Sequence, residues 1–165
     1  MEYSKTVVLN NGVVMPLVGL GTFQLFSKEA LMNSIENLGY RHIDTAWLYQ
    51  NEGLIGEALH EIFQKGAIKR EDIFLVTKIW PSQFDNPEAA IRDSLTKLKL
   101  DFVDLYLIHW PASYFSASKK PLHLLWQQLE ALVDKGLVKS LGVSNFNVQL
   151  LQDLLCYARH RPVCN

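Results

Sequence analysis

The feature that most constrains the fold is a repeated alternation of short apolar segments with longer amphipathic ones. The apolar segments are YRHID, IFLVTKIW, VDLYLIH and VKSLGVSN, at residues 40–44, 73–80, 103–109 and 138–145. Apolar interiors such as FLV and LYLI are typical of parallel strands that are covered by helices. The chain is therefore predicted to be a single α/β domain over residues 1–165, built on a parallel sheet.

Capping residues and apolar stripes predict the helices between these strands. Ser27 is a suitable N-cap for a first helix that buries Leu31, Ile35 and Leu38, and Gly39 is placed to end it. Further helices are predicted to start at Asn51, at Asn86-Pro87, at Leu124 after a longer loop through Pro111 to Pro121, and near Asn147. The helix from Asn51 is expected to bury Ile55, Leu59 and Ile62, and the helix from Asn86 to have Ile91, Leu95 and Leu98 on its inner face. The helix near Asn147 carries Leu150, Leu151, Leu154 and Leu155.

The N-terminal segment predicts a β-hairpin, in which TVVL and VVMPLVGLG flank a turn at Asn10-Asn11-Gly12. After it, the sheet is either a closed barrel or an open doubly wound sheet. Gly19-Leu20-Gly21 lacks the third glycine of a dinucleotide fingerprint, and a tight turn after a strand is its ordinary interpretation. The barrel is therefore favoured.

Composition excludes several classes of partner. The formal net charge is −1, and the Lys and Arg residues are scattered, so we expect neither nucleic acid nor an anionic membrane surface as a partner. The N-terminus has no signal-peptide pattern and no apolar run approaches ~18 residues, so a cytoplasmic protein is expected. Cys156 and Cys164 have no metal-like spacing and are interpreted as structural thiols in a reducing compartment.

Polar residues follow the predicted strands at the point where each strand ends. In a β/α barrel the catalytic groups lie at this carboxyl-terminal rim. Asp44 ends the second strand and Tyr49 lies just beyond it, while Lys78 and His109 end the third and fourth. Ser144 and Asn145 end the fifth strand.

Each of these residues alone has an ordinary structural explanation: an ion pair between Asp44 and Lys78, a core histidine, or a tyrosine at the rim. Together they suggest chemistry, because a lysine in an apolar strand is costly to bury without a neighbouring carboxylate. A phenol with a pKa of ~10 is a weak acid, and an ammonium beside it favours the phenolate. Tyr49 is thus a candidate general acid for a carbonyl oxygen that His109 orients. No side chain supplies a hydride, so a reduced cofactor is required.

The segments GYRHIDTAWLYQNEGLIG (residues 39–56), VTKIWP, LYLIHWP and LVKSLGVSNFNVQLLQDLL resemble the aldo-keto reductases. The resemblance implies a (β/α)₈ barrel whose hairpin covers the bottom. It implies that Tyr49 donates the proton, that Asp44 and Lys78 tune it, and that His109 orients the substrate. It also implies an NADPH site at the nicotinamide end, formed by Gly21, Thr22, Asp44, Ser144 and Asn145. The expected substrate-binding residues are Phe23, Trp80, His109 and Trp110.

A complete barrel of this type needs eight strands and about 250 residues. This sequence supplies about five βα units and the start of a sixth strand at Pro162–Asn165, so the predicted fold is an incomplete TIM-type barrel. The resemblance implies a glutamine directly after Asn165, together with loops for the cofactor phosphate that this sequence does not contain. Unclosed sheet edges predict self-association.

Three functions remain open at this point. The leading one is NADPH-dependent reduction of aldehydes and ketones, with a small carbonyl compound as the substrate. The second is a catalytically silent binding or regulatory module. The third is a metal site, in which His42 and Asp44 on one face of a strand are joined by His109.

Overall fold

The computed structural model describes residues 5–111 and 119–165. Its strands are β1 (Thr6–Val8), β2 (Val14–Pro16), β3 (Leu20–Gly21), β4 (His42–Asp44), β5 (Phe74–Ile79), β6 (Leu105–Ile108) and β7 (Leu141–Val143). Its α-helices are α1 (Lys28–Glu36), α2 (Glu52–Gln64), α3 (Pro87–Leu98), α4 (Leu122–Asp134) and α5 (Val148–Tyr157). Short 3₁₀ turns cover Trp47–Tyr49, Arg70–Asp72 and Pro81–Gln83.

The order of strands in the sheet settles the choice between the two architectures. Strands β3, β4, β5, β6 and β7 pair in chain order, and every pair is parallel. A doubly wound sheet has a point at which the strand order reverses, and these five strands have none. The prediction of a barrel-type fold is therefore confirmed, with five parallel strands and their helices forming part of such a barrel.

Alternation along the strands sends neighbouring side chains to opposite faces of the sheet. Leu75 and Ile79 of β5 pack into the large core shared with the helices, whereas Phe74 and Val76 belong to a separate inner cluster. Lys78 follows Phe74 and Val76 on the same inner face, near the carboxyl end of β5. The same alternation in β6 places His109 after the inner residues Leu105 and Leu107.

The hairpin forms as predicted and closes the amino-terminal end of the inner face. Strands β1 and β2 are antiparallel, Gly12 adopts a φ of 85°, and Leu9 packs in the inner cluster. The segment VVMPLVGLG is not one strand, however. The hairpin ladder ends where the Leu17 N–H donates to the Lys5 carbonyl oxygen at 2.9 Å, and the chain then enters the parallel sheet as β3. Leu20–Gly21 is thus strand rather than a tight turn.

All five predicted helices are present. The side chains of Ser27, Asn86 and Asn147 accept hydrogen bonds from the first turns of α1, α3 and α5. One residue of the predicted α1 stripe is not buried: Leu38 is 49% exposed because α1 ends at Glu36, before the stripe reaches it. Of the four leucines in α5, Leu154 is fully buried and Leu155 is exposed.

The predicted start of a sixth strand has backbone contacts but no regular ladder. Val163 N–H donates to the Leu141 carbonyl at 2.9 Å, and Val143 N–H donates to the Cys164 carbonyl at 3.0 Å. Of the predicted loop from Pro111 to Pro121, residues 112–118 lie outside the described residues. Within the described ranges, no helix is long and apolar enough to cross a membrane.

Candidate active site

The Lys78 ammonium is the centre of a polar cluster at the carboxyl-terminal rim of the sheet. Its Nζ donates to Asp44 Oδ1 at 2.6 Å, to the Thr45 carbonyl oxygen at 2.8 Å and to Tyr49 Oη at 3.3 Å. Lys78 is buried, whereas Asp44 and Tyr49 are half-buried. An ammonium has three N–H donors, so these three oxygens account for all of them. The predicted juxtaposition of Tyr49 with Lys78 is therefore present.

A single turn after β4 brings Tyr49 back over the sheet. The 3₁₀ turn Trp47–Tyr49 ends at Gln50, whose φ of 55° lies in the left-handed region. The Gln50 backbone N–H and side-chain amide both donate to the Trp47 carbonyl oxygen, at 3.2 and 2.7 Å. These two bonds offset the cost of a left-handed conformation at a residue with a side chain.

His109 is 8% exposed and lies beside Tyr49, with ring centroids 5.7 Å apart and an interplanar angle of 81°. Burial lowers the pKa of His109 to about 4, and the nearby Lys78 ammonium adds to this effect. Among the described residues its Nδ1 has no hydrogen-bond partner. The imidazole is therefore neutral at physiological pH, which leaves it one N–H to donate.

The residues expected at the cofactor also meet at this rim. Gly21 lies opposite Asp44 in the sheet, and a Cβ at Gly21 would meet no atom within 4 Å. Thr22 is buried, and its N–H and hydroxyl both donate to the Asp44 carbonyl oxygen. Asn145 has a φ of 63°, and its amide donates to the His109 carbonyl at 2.8 Å and to Ser144 Oγ at 3.0 Å.

Two of the three expected aromatic residues flank the cluster. The Phe23 ring lies 5.1 Å from the Tyr49 ring between centroids, and the Trp80 ring lies 5.2 Å from the His109 ring. Phe23 is 63% exposed, so it stands at the open side of the cluster. Trp110 directly follows His109 and is half-buried.

The alternative metal site does not form. His42 Nδ1 lies 2.9 Å from the Pro16 carbonyl oxygen, toward the hairpin, while Asp44 is engaged by Lys78. Across residues 5–111 and 119–165, no three His, Cys, Asp or Glu side chains are grouped as metal ligands would be.

A cavity of about 390 Å³ lies at the other end of the sheet, beside the hairpin turn at Asn10. Two of its lining cations are already paired, Lys139 with Asp104 and Arg159 with Asp134. The Lys78 cluster takes no part in this cavity. The polar cluster at the opposite rim is therefore the better candidate for chemistry.

Sequence reasoning missed the buried polar residues that support the rim. Thr45 Oγ1 donates a hydrogen bond to Asn51 Oδ1 at 2.8 Å, and Thr77 Oγ1 donates one to Glu52 Oε1 at 2.6 Å. The sequence identifies Asn51 only as a helix start, because the direction of its side chain depends on the turn at Gln50. The run of polar residues QNE after Tyr49 was the available signal.

The in-order parallel sheet and the Asp, Tyr, Lys and His side chains at its carboxyl-terminal rim define a protein of the β/α-barrel class with an enzyme-like site. Residues 17–165 match the model of the aldo/keto reductase family, and the chain belongs to that family.

Individual relatives agree with this assignment. The aldose reductase of Encephalitozoon cuniculi (strain GB-M1) is 41% identical over 175 residues, covering 96% of this chain and 58% of the relative. The NADP-dependent D-sorbitol-6-phosphate dehydrogenase of Malus domestica is 39% identical, covering 96% and 57%. The solved structure of the aldose reductase from Schistosoma japonicum superposes with a TM-score of 0.88 at 36% identity, covering 96% and 59%. The chain thus spans less than two thirds of the length of each of these relatives.

Proposed function

We propose that this chain carries the proton-transfer half of an NADPH-dependent reduction of small aldehydes and ketones to alcohols. The observation that carries the proposal is the Lys78 ammonium, which joins the Asp44 carboxylate at 2.6 Å to the Tyr49 phenol at 3.3 Å. Such an arrangement suits a general acid, because the phenolate that remains after proton transfer has a cation already in contact with it.

Each side chain of the cluster has a separate part in this reaction. Tyr49 Oη gives its proton to the carbonyl oxygen as the C=O double bond becomes a single bond. Lys78 stabilises the negative charge that develops on Oη, and Asp44 compensates the buried charge of Lys78. The neutral His109 donates a hydrogen bond to the carbonyl oxygen and aligns it with Tyr49. A reduced nicotinamide, when bound, supplies the hydride that no side chain can provide.

Gly21, Thr22, Asp44, Ser144 and Asn145 are proposed as the residues that hold the nicotinamide end of NADPH. The absence of a side chain at Gly21 leaves open space beside Asp44, which suits the approach of a flat ring. Ser144 and Asn145 present hydroxyl and amide groups suited to a carboxamide. The relative from Malus domestica is NADP-dependent by name, which favours NADPH over NADH. Phe23, Trp80 and Trp110 are proposed to enclose the carbonyl compound together with His109.

The proposal is tested by Tyr49→Phe in the 165-residue chain. Carbonyl reduction is expected to fall by about 10²–10⁴-fold, because the general acid is lost. NADPH binding, followed by quenching of tryptophan fluorescence, should be nearly unchanged, because the nicotinamide contacts remain. Tyr40→Phe is the matched control, since Tyr40 precedes β4 at the end of the strand away from Asp44.

Full turnover in Tyr49→Phe would contradict the proposed role of the phenol. Wild-type chain that binds NADPH without reducing any aldehyde would instead support the silent module. A cytoplasmic location and self-association through the sheet edges remain predictions, and the second is checked by sedimentation velocity.

A further inference from the structure

Asn51 occupies the N-cap position of α2, but its side chain does not cap that helix. The side chain is 2% exposed and turns toward the interior, under the turn that carries Tyr49. A side-chain cap normally stabilises a helix, and α2 lacks this hydrogen bond. The hydrogen bonds that the Asn51 amide makes instead are therefore expected to be important.

The Asn51 amide joins two loops at the carboxyl-terminal rim. Its Oδ1 accepts a hydrogen bond from Thr45 Oγ1 at 2.8 Å, in the segment after β4. Its Nδ2 donates to the carbonyl oxygens of Thr22 at 2.7 Å and Leu25 at 3.3 Å, in the segment after β3. Both of its N–H donors and its acceptor are thus engaged, so the amide has one defined orientation.

Both loops contact the proposed catalytic groups. The Thr45 carbonyl oxygen accepts from Lys78 Nζ at 2.8 Å, so the residue held by Asn51 also holds the ammonium. The loop from Thr22 to Leu25 carries Phe23, whose ring packs on Tyr49. One residue, Thr45, therefore connects Asn51 to Lys78, and two residues, Thr22 and Phe23, connect it to Tyr49.

We propose that Asn51 is a positioning residue, which fixes Thr45 so that the third N–H of Lys78 points at Tyr49 Oη. It touches no reacting atom, and it acts through the Thr45 carbonyl. The geometric part of this proposal concerns the Lys78 ammonium alone, whereas its effect on turnover rests on the proposed function.

The geometric part is tested by NMR of the Lys78 ammonium, assigned by loss of its ¹⁵Nζ signal in Lys78→Arg. In Asn51→Ala, hydrogen exchange of this ammonium with solvent is expected to accelerate by about tenfold or more, because local opening becomes easier. Asn86→Ala is the matched control. It removes an asparagine that does cap its helix, so it should lower stability and leave the Lys78 signal unchanged.

A folded Asn51→Ala chain with the wild-type Lys78 signal and exchange rate would overturn the proposal. If Asn51→Ala does not fold, Thr45→Val decides, because it removes only the hydroxyl that bonds to Asn51. The Lys78 signal is expected to change in the same direction in Thr45→Val, and an unchanged signal would also overturn the proposal.

The kinetic part uses aldehyde reduction by the same variants. In Asn51→Ala, kcat is expected to fall by about 10–100-fold with a much smaller change in KM. The general acid is displaced, whereas Asn51 makes no hydrogen bond to the segments that carry Trp80, His109 and Trp110. A rise in KM with kcat unchanged would contradict this. If the wild-type chain reduces no aldehyde, the proposed function fails, and the NMR measurement still decides the role of Asn51.

Discussion

A lysine inside a strand with six buried residues needs an oxygen acceptor for each N–H that it carries. Lys78 has three, contributed by Asp44, Thr45 and Tyr49. The sequence predicts the first, because a carboxylate at the end of the neighbouring strand is the obvious compensation, and the third, because Tyr49 follows that strand closely. It does not predict the Thr45 carbonyl or Asn51, because their orientation depends on a backbone turn rather than on residue type.

His109 provides a prediction at the same scale. Burial and the Lys78 ammonium lower its pKa to about 4, so NMR titration of the imidazole should show a midpoint near that value, well below that of an ordinary histidine. In Lys78→Met the midpoint should rise toward the ordinary value, because one of the two causes is removed. A wild-type midpoint near 6.5 would contradict the prediction.

Helices α2 and α3 approach each other closely at Gly56. An added Cβ at Gly56 would lie 2.2 Å from the Lys97 carbonyl oxygen, so only glycine fits this contact. Ile55 and Leu59 beside it were predicted to be buried from helical spacing, and they are. The role of Gly56 was not predicted, because spacing along one helix does not reveal how closely a second helix packs.

Gly56→Ala is therefore expected to destabilise the chain by about 1–3 kcal/mol, although alanine is the better helix former. The measurement is the free energy of unfolding in urea. Gly53→Ala is the matched control in the same helix, because its Cβ would meet no atom within 4 Å, and it should be neutral or stabilising. Equal effects of the two changes would show that helix propensity, and not the contact with α3, dominates.

At the scale of the whole molecule, the in-order sheet divides the interior into two parts. Helices cover the outer face, while the hairpin residue Leu9 covers the amino-terminal end of the inner face, and the rim opposite the hairpin carries the polar cluster. The alternation of apolar and amphipathic segments was enough to predict the parallel sheet. The end of α1 before Leu38 was not predicted, because an apolar residue at helical spacing does not show where helical backbone stops.

The stability of the whole domain should depend on the ionisation of Glu52, which lies where α2, β5 and α3 meet. Glu52 is buried and accepts a hydrogen bond from Thr77. Burial raises the pKa of Glu52, although hydrogen bonds from Thr77 and Ser94 oppose part of this effect. A carboxyl whose folded-state pKa is raised favours folding most below its unfolded-state pKa, and this contribution is lost as pH rises through the folded-state pKa.

Glu52→Gln should therefore be more stable than wild type at pH 8, and the difference should shrink toward pH 4, where the wild-type carboxyl is protonated. The glutamine oxygen can still accept the bond from Thr77, and each unit of raised pKa corresponds to about 1.4 kcal/mol. The measurement is the free energy of unfolding in urea for both chains across this pH range. Protonation of the buried His109 at low pH destabilises both chains equally, so it does not affect the difference between them. Glu57→Gln is the control, because Glu57 is exposed and paired with Lys99, which lowers its pKa, so no gain is expected at any pH. A Glu52→Gln chain that is less stable than wild type by the same amount at pH 4 and pH 8 would show that the hydrogen-bond geometry, and not the buried charge, determines the effect.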